Sequence, residues 1–173
     1  TVDIPTEAGS KLLSGRTPSK DATVVDRMTR AGTICIGKTH LSELAFSGLG
    51  INPNAGTPPN KYGGHLAPGG SSSGAAASVV HEFTPIGIGS DTGGSVRIPS
   101  SWNDLVGLKT THGFLPNEGV VALCPGFDTA GPLCTTVEDA WISTAIMADL
   151  KPEIPDRKST RLNSSHDQIS YAV

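Results

Sequence analysis

The sequence predicts a single α/β domain, on three observations. Helical stretches recur at residues 21–30, 75–80 and 137–150, short β-branched or apolar runs stand between them at 33–36, 85–89 and 105–109, and the two kinds alternate along the chain. That alternation is the pattern of α/β folds. A length of 173 residues suits one domain with a sizeable core.

The first helix is expected over 21–30. Ser19 or Asp21 is placed to cap it, Val24, Val25 and Met28 share one face, and Gly32 stops it. Residues 33–36 (TICI) favour a strand, with Cys35 read as a buried thiol. A short helix is expected at 42–46, capped by Ser42. Residues 47–70 then form a long loop rich in proline and glycine, a kind of segment that is usually functional inside a compact domain. The small-residue run 75–80 reads as a helix, 85–89 as a strand, and Val96 as a helix start with Pro99 tolerated in its first turn. A strand at 105–109 follows, and 112–132 reads as loop. The last helix, 137–150, has Thr135 or Thr136 as cap and Glu138 and Asp139 in its first turn, and it offers Ala140, Trp141, Ala145 and Ile146 to the core.

Composition excludes several classes. A net charge of −3 and a pI near 5.9 leave no basic footprint for nucleic acid. No apolar run approaches a membrane span, and no signal peptide stands at Thr1, which is not a start residue. Cys35, Cys124 and Cys134, odd in number and widely spaced, argue against a disulfide framework or a zinc site, and cytoplasm is the default reading.

The chain is organised around residues 69–99, which hold two serine-glycine turns, GGSSSG at 69–74 and SDTGGS at 90–95. A strand that ends in a Gly-Gly turn and delivers a serine to a helix start is a good mount for a nucleophile. Glycine admits positive φ and close approach of a substrate. Successive N–H groups in such a turn point into one concavity, where an oxyanion can sit. One competing pattern, GTICIGKT at 32–39, fits the phosphate-binding G-x-x-x-x-G-K-[ST]. Its context argues against that use. A helix precedes Gly32, and the middle residues prefer a strand, which supplies no run of inward N–H groups. His40, His65, His81 and His112 invite a Ser–His–Asp reading, but none lies in a recognisable elbow such as G-x-S-x-G, and each reads as a polar surface or loop residue.

The motifs PGGSSSGAAASV and GSDTGGSVRIP, with the interval between them, resemble the amidase signature family of serine amidohydrolases, and the resemblance extends over nearly all of residues 1–150. It implies a mixed β-sheet wrapped by helices, of which this chain holds the N-terminal to middle part. It implies amide hydrolysis by a serine–serine–lysine triad, with Ser95 as nucleophile and Ser71, preceded by a cis peptide bond, as the serine that relays the proton. The backbone N–H groups of Thr92, Gly93, Gly94 and Ser95 are the oxyanion-hole candidates. Ser72, Asp91 and Arg97 support the site, Ser72 and Ser73 as turn formers, Asp91 by bonding backbone N–H groups and Arg97 by an ion pair. The family's lysine falls just ahead of Thr1, so the chain as given is expected to be inactive. Lys38 and Lys109, the alternatives, belong to motifs that serve structure. No metal or organic cofactor is implied. The expected partners are a small-molecule amide and either a second copy or an amidotransferase subunit. Ser73, Thr110 and Trp102-Asn103-Asp104 depart from the family pattern and bear on substrate.

Residues 1–155 therefore read as a partial amidase domain. Residues 156–173 (DRKSTRLNSSHDQISYAV) have no hydrophobic period and closely resemble the translation of a common DNA-sequencing adapter, so they are read as a non-native tail.

Overall fold

The computed structural model describes residues 1–153 and, for the backbone alone, Ile169–Ala172. Helices α1 (Thr23–Arg30), α2 (Ser73–Val80), α3 (Arg97–Trp102) and α4 (Val137–Met147) accompany strands β1 (Ile86–Asp91), β2 (Val106–Thr110), β3 (Thr129–Cys134) and β4 (Ile169–Ala172). Among the described residues the strand order is β1-β3-β2-β4 and every pairing is antiparallel. The chain is an α/β fold. The expectation of a non-native tail at 156–173 lies outside the described residues except for β4, whose backbone pairs with β2. An open sheet edge accepts any extended segment within reach, because its ladder bonds are main-chain bonds.

The sheet is covered on both faces. All six residues of β3 are buried, and they alternate between two layers. Ala130 packs with Val24 and Met28 of α1 and Met147 of α4, and Cys134 packs with Ala140 of α4. Leu133 points the other way, to Ala75 and Ala76 of α2 and to Val96.

The helices form where expected, with different ends. α1 begins at Thr23, and its N-cap, Ala22, offers no side-chain bond. Asp21 instead accepts the Val2 N–H at 2.6 Å. At the other end Gly32 closes the helix. Its N–H donates to the Thr29 carbonyl and the Thr33 N–H to the Met28 carbonyl, the two bonds of a Schellman motif. The helix expected at 42–46 is one 3₁₀ turn, Glu43–Ala45, and Ser42 makes no side-chain cap there. Thr136 does cap α4, accepting the Asp139 N–H at 3.0 Å. Ala140 and Ala145 are buried as expected, but Trp141 is only half-buried and donates its Nε1 hydrogen to the Glu153 carbonyl. α4 also buries Ser143 and Thr144, whose hydroxyls donate to the carbonyls four residues back. It is wedged between α1 and the sheet and does not present a single apolar stripe.

Two strand expectations fail. Residues 33–36 form no strand, Ile34 and Ile36 are 86% and 67% exposed, and Cys35 is exposed, not buried. A β-branched run becomes a strand only against a partner edge, and no described strand pairs with it. In the opposite sense, β3 forms inside and beyond the stretch read as loop. Gly131 and Pro132 disguise it, since both weaken a strand pattern. Pro132 lies beyond the two residues, Leu133 and Cys134, that pair with β2.

Candidate active site

The two serine turns meet because β1 is glycine-rich on one face. A Cβ at Gly87 would stand 2.6 Å from the Ala75 carbonyl oxygen, and one at Gly89 would stand 2.4 Å from Ser72 Oγ. Only glycine at these alternate positions lets α2 and the first turn lie against the strand. Ser72 then binds it in both directions, donating to the Ser90 carbonyl and accepting the Ser90 N–H, each at 3.2 Å. The Ser72 N–H donates to the Ser95 carbonyl at 3.2 Å, joining one turn to the other.

The first turn is fixed by backbone bonds. Gly70 donates to Gly48 and Gly69 to Leu49, Ser71 accepts from Ser42, and Gly74 donates to His40. The Gly70–Ser71 peptide bond is cis. A Cβ at Gly70 would lie 2.4 Å from the Gly50 nitrogen, so the long loop can close over the turn only with glycine there. That loop is itself pinned by buried asparagines. Asn103 donates to the carbonyls of Pro68 and Pro99, at 2.7 and 2.8 Å, and accepts the Lys61 N–H. Asn52 holds Gly9 and Leu41 in the same way.

The second turn is built on Asp91, the last residue of β1 and fully buried. Its carboxylate accepts the N–H groups of Gly94 (2.8 Å), Val96 (3.1 Å) and Arg97 (3.3 Å), and it pairs with the Arg97 guanidinium at 3.0 and 3.1 Å. Burial, the largest single influence, pushes its pKa up, but the Arg97 hydrogen bond, the Val96 and Gly94 N–H groups and the Arg97 charge together outweigh it and hold the carboxyl below its ordinary value. Arg97 is correspondingly held protonated by Asp91.

This geometry narrows the anion cradle. The Gly94 N–H is committed to Asp91 and is not free for an oxyanion. Among the described residues no acceptor takes the N–H of Thr92, Gly93 or Ser95. Ser71 and Ser95 are both buried. Ser73 Oγ is buried without a partner among the described residues. Both alternative lysines bond groups other than the serines. Lys38 is exposed and donates to Thr6 Oγ1, and Lys109 donates to the Thr110 carbonyl. The segment at 32–39 also lacks a helix directly after Thr39, which a phosphate-binding loop requires.

A family model described as Amidase matches residues 1–171. The chain belongs to the amidase family. Relatives include the A subunit of glutamyl-tRNA(Gln) amidotransferase from Paraburkholderia phymatum, 38% identical over 163 residues, covering 94% of this chain and 32% of that protein. The chain thus spans about a third of the length of the curated relatives it matches. Among solved structures, the A subunit of the Thermotoga maritima glutamyl-tRNA(Gln) amidotransferase superposes with a TM-score of 0.81 at 38% identity, covering 85% of this chain and 32% of the other. The peptide amidase of Stenotrophomonas maltophilia gives 0.81 at 35%, covering 91% and 32%. Among the described residues no helix is long and apolar enough to cross a membrane.

Two residues that the sequence did not single out reach the second turn. Thr129 Oγ1 donates to the Asp91 carbonyl at 3.0 Å, and the Asp128 carboxylate accepts the Thr92 hydroxyl. Their contacts to this turn span 38 and 36 residues, so no local pattern announces them.

Proposed function

We propose that the full-length protein hydrolyses a carboxylic amide to the acid and ammonia or an amine. Ser95 Oγ attacks the carbonyl carbon. Ser71 passes the proton to a neutral lysine and returns it to the leaving nitrogen as the tetrahedral adduct collapses. Water then cleaves the acyl-serine and restores Ser95. The N–H groups of Thr92, Gly93 and Ser95 receive the oxyanion, and one well-placed donor of this kind is worth about 2.7–4 kcal/mol in the transition state. The observation that carries this reading is the joining of the two turns, Ser72 to Ser95 and Ser72 to Ser90, with those three N–H groups left unclaimed.

In this reading the triad lysine lies outside the chain, ahead of Thr1, and the chain alone is inactive. Lys38 and Lys109 are engaged elsewhere. The three unpaired thiols fit a reducing cytoplasm. A second reading is favoured by the relatives that are A subunits of glutamyl-tRNA(Gln) amidotransferase: the same chemistry delivers ammonia to a partner protein. The test is ammonia release from a panel of primary amides by the full-length protein, alone and with co-expressed neighbouring subunits. Release by the protein alone, abolished by Ser95→Ala, supports the hydrolase. Release only with a partner supports the amidotransferase. Undiminished release by Ser95→Ala rejects both.

A further inference from the structure

We infer that Asp128 is a positioning residue for this reaction, holding Thr92 and with it the N–H groups that receive the oxyanion. The inference rests on the amidase reading of Ser95.

Asp128 is the buried residue immediately before β3. Its carboxylate accepts the Thr92 hydroxyl together with the N–H groups of Leu123 (2.9 Å) and Cys124 (2.9 and 3.0 Å). Its carbonyl accepts from Asn117 Nδ2 at 2.5 Å and His112 Nδ1 at 3.1 Å. Asp128 is therefore anchored from the loop side and offers its remaining capacity to the turn. The β1–β3 ladder ends at the pair Asp91–Thr129, so Thr92 is the first residue that the sheet no longer fixes. At that point two consecutive residues at the start of β3 grip two consecutive residues at the end of β1, one of each pair lying just outside its strand. Thr129 holds the Asp91 carbonyl, and Asp128 holds the Thr92 hydroxyl.

The turn has two ends. Asp91 secures the far end through Gly94 and Val96, and the Thr92–Asp128 bond secures the near end. The unclaimed N–H groups of Thr92, Gly93 and Ser95 lie between. A carboxylate suits this place because it accepts several donors and donates none. An amide in its place would keep one acceptor oxygen and turn an NH₂ toward the Thr92 hydroxyl or toward the loop N–H groups. Releasing the near end lets the donors drift, and a misplacement of about 1 Å costs roughly 100-fold in rate.

The test follows labelling of the full-length protein by a fluorophosphonate, in which Ser95 Oγ bonds to phosphorus and fluoride leaves. Rates are measured against probe concentration for the unsubstituted protein, Asp128→Asn, Thr92→Val, Thr92→Ser and the double variant Asp128→Asn/Thr92→Val. Asp128→Asn and Thr92→Val are each expected to lower the maximal labelling rate about 10- to 100-fold, with the half-saturating concentration little changed. Thr92→Ser recovers most of the rate, and the double variant is no slower than the slower single one. Thr92→Val leaves the Asp128 loop anchors in place, so it answers the question even if Asp128→Asn does not fold. Rates within twofold of the unsubstituted protein in Thr92→Val, or losses that multiply in the double variant, overturn the inference. Absence of any labelling at Ser95 in the unsubstituted protein sinks the hydrolase reading itself, and this inference with it.

Discussion

Replacing Asp91 by Asn removes the charge from the most connected carboxylate of the site and keeps its shape. The one remaining acceptor oxygen can serve the Gly94 N–H. The new NH₂ then faces the N–H groups of Val96 and Arg97 and the Arg97 Nε hydrogen, all of them donors, while Arg97 Nη2 keeps the remaining oxygen without its full charge. Val96 is fully buried, so its N–H finds no water, and an unsatisfied buried group of this kind costs about 1–3 kcal/mol. The Arg97 side chain is 34% exposed and turns partly to solvent, so its loss is nearer the ~1 kcal/mol of a surface pair than the ~3–5 kcal/mol of a broken buried one. The expected sum is a destabilisation of about 2–4 kcal/mol at neutral pH. Urea unfolding followed by tryptophan fluorescence reads it, with Trp102 at the end of α3, the helix that Asp91 helps to start. Acid adds a second signature. Folding lowers the Asp91 pKa below 3.8, so the unfolded chain binds this proton more tightly. The stability the carboxylate contributes is full above that unfolded value and is lost as pH falls through the folded one. Asn does not titrate, so the gap between parent and variant narrows on going from pH 7 to about pH 2. A gap below about 0.5 kcal/mol at pH 7, or one constant with pH, refutes the reasoning.

Three further outcomes follow from the same structure. Gly50→Ala puts a methyl 2.2 Å from the Gly69 carbonyl oxygen at a φ of +79°, so the variant loses about 2–4 kcal/mol by urea midpoint, and near-parental stability contradicts the packing described for the first turn. Thr136→Ala removes the α4 cap and costs about 1 kcal/mol by the same measurement, while Thr136→Ser costs less than half of that. Toward Ellman's reagent under native conditions the exposed Cys35 reacts first. Burial pushes the Cys134 thiol up to about 12, and it reacts only after unfolding. Fast native reaction at Cys134 contradicts its place between β3 and α4.

What the sequence revealed was local. Both serine turns, the helix stop at Gly32 and the Thr136 cap are written in neighbouring residues and were legible there. The strand expected at 33–36 was not decided locally, because its residues have the right propensity but strand formation depends on a partner edge. β3 failed in the opposite way, since Gly131 and Pro132 hide a strand that pairing with β1 enforces. The site divides along the same line. Asp91 bonds residues three to six positions ahead, within reach of a turn argument. Asn103 and Asp128 act across 35 and 36 residues, and only the fold brings their partners to them. The free N–H set also needed coordinates, because only geometry reveals that Asp91 claims the hydrogen of Gly94 and leaves its neighbours unclaimed.

The most direct test of the account is to treat the full-length protein with a fluorophosphonate and map the adduct by peptide mass spectrometry. One adduct per chain is expected, on Ser95, lost in Ser95→Ala and greatly slowed in Ser71→Ala. An adduct on another residue, or amide hydrolysis by a protein whose Ser95 stays unlabelled, would contradict it.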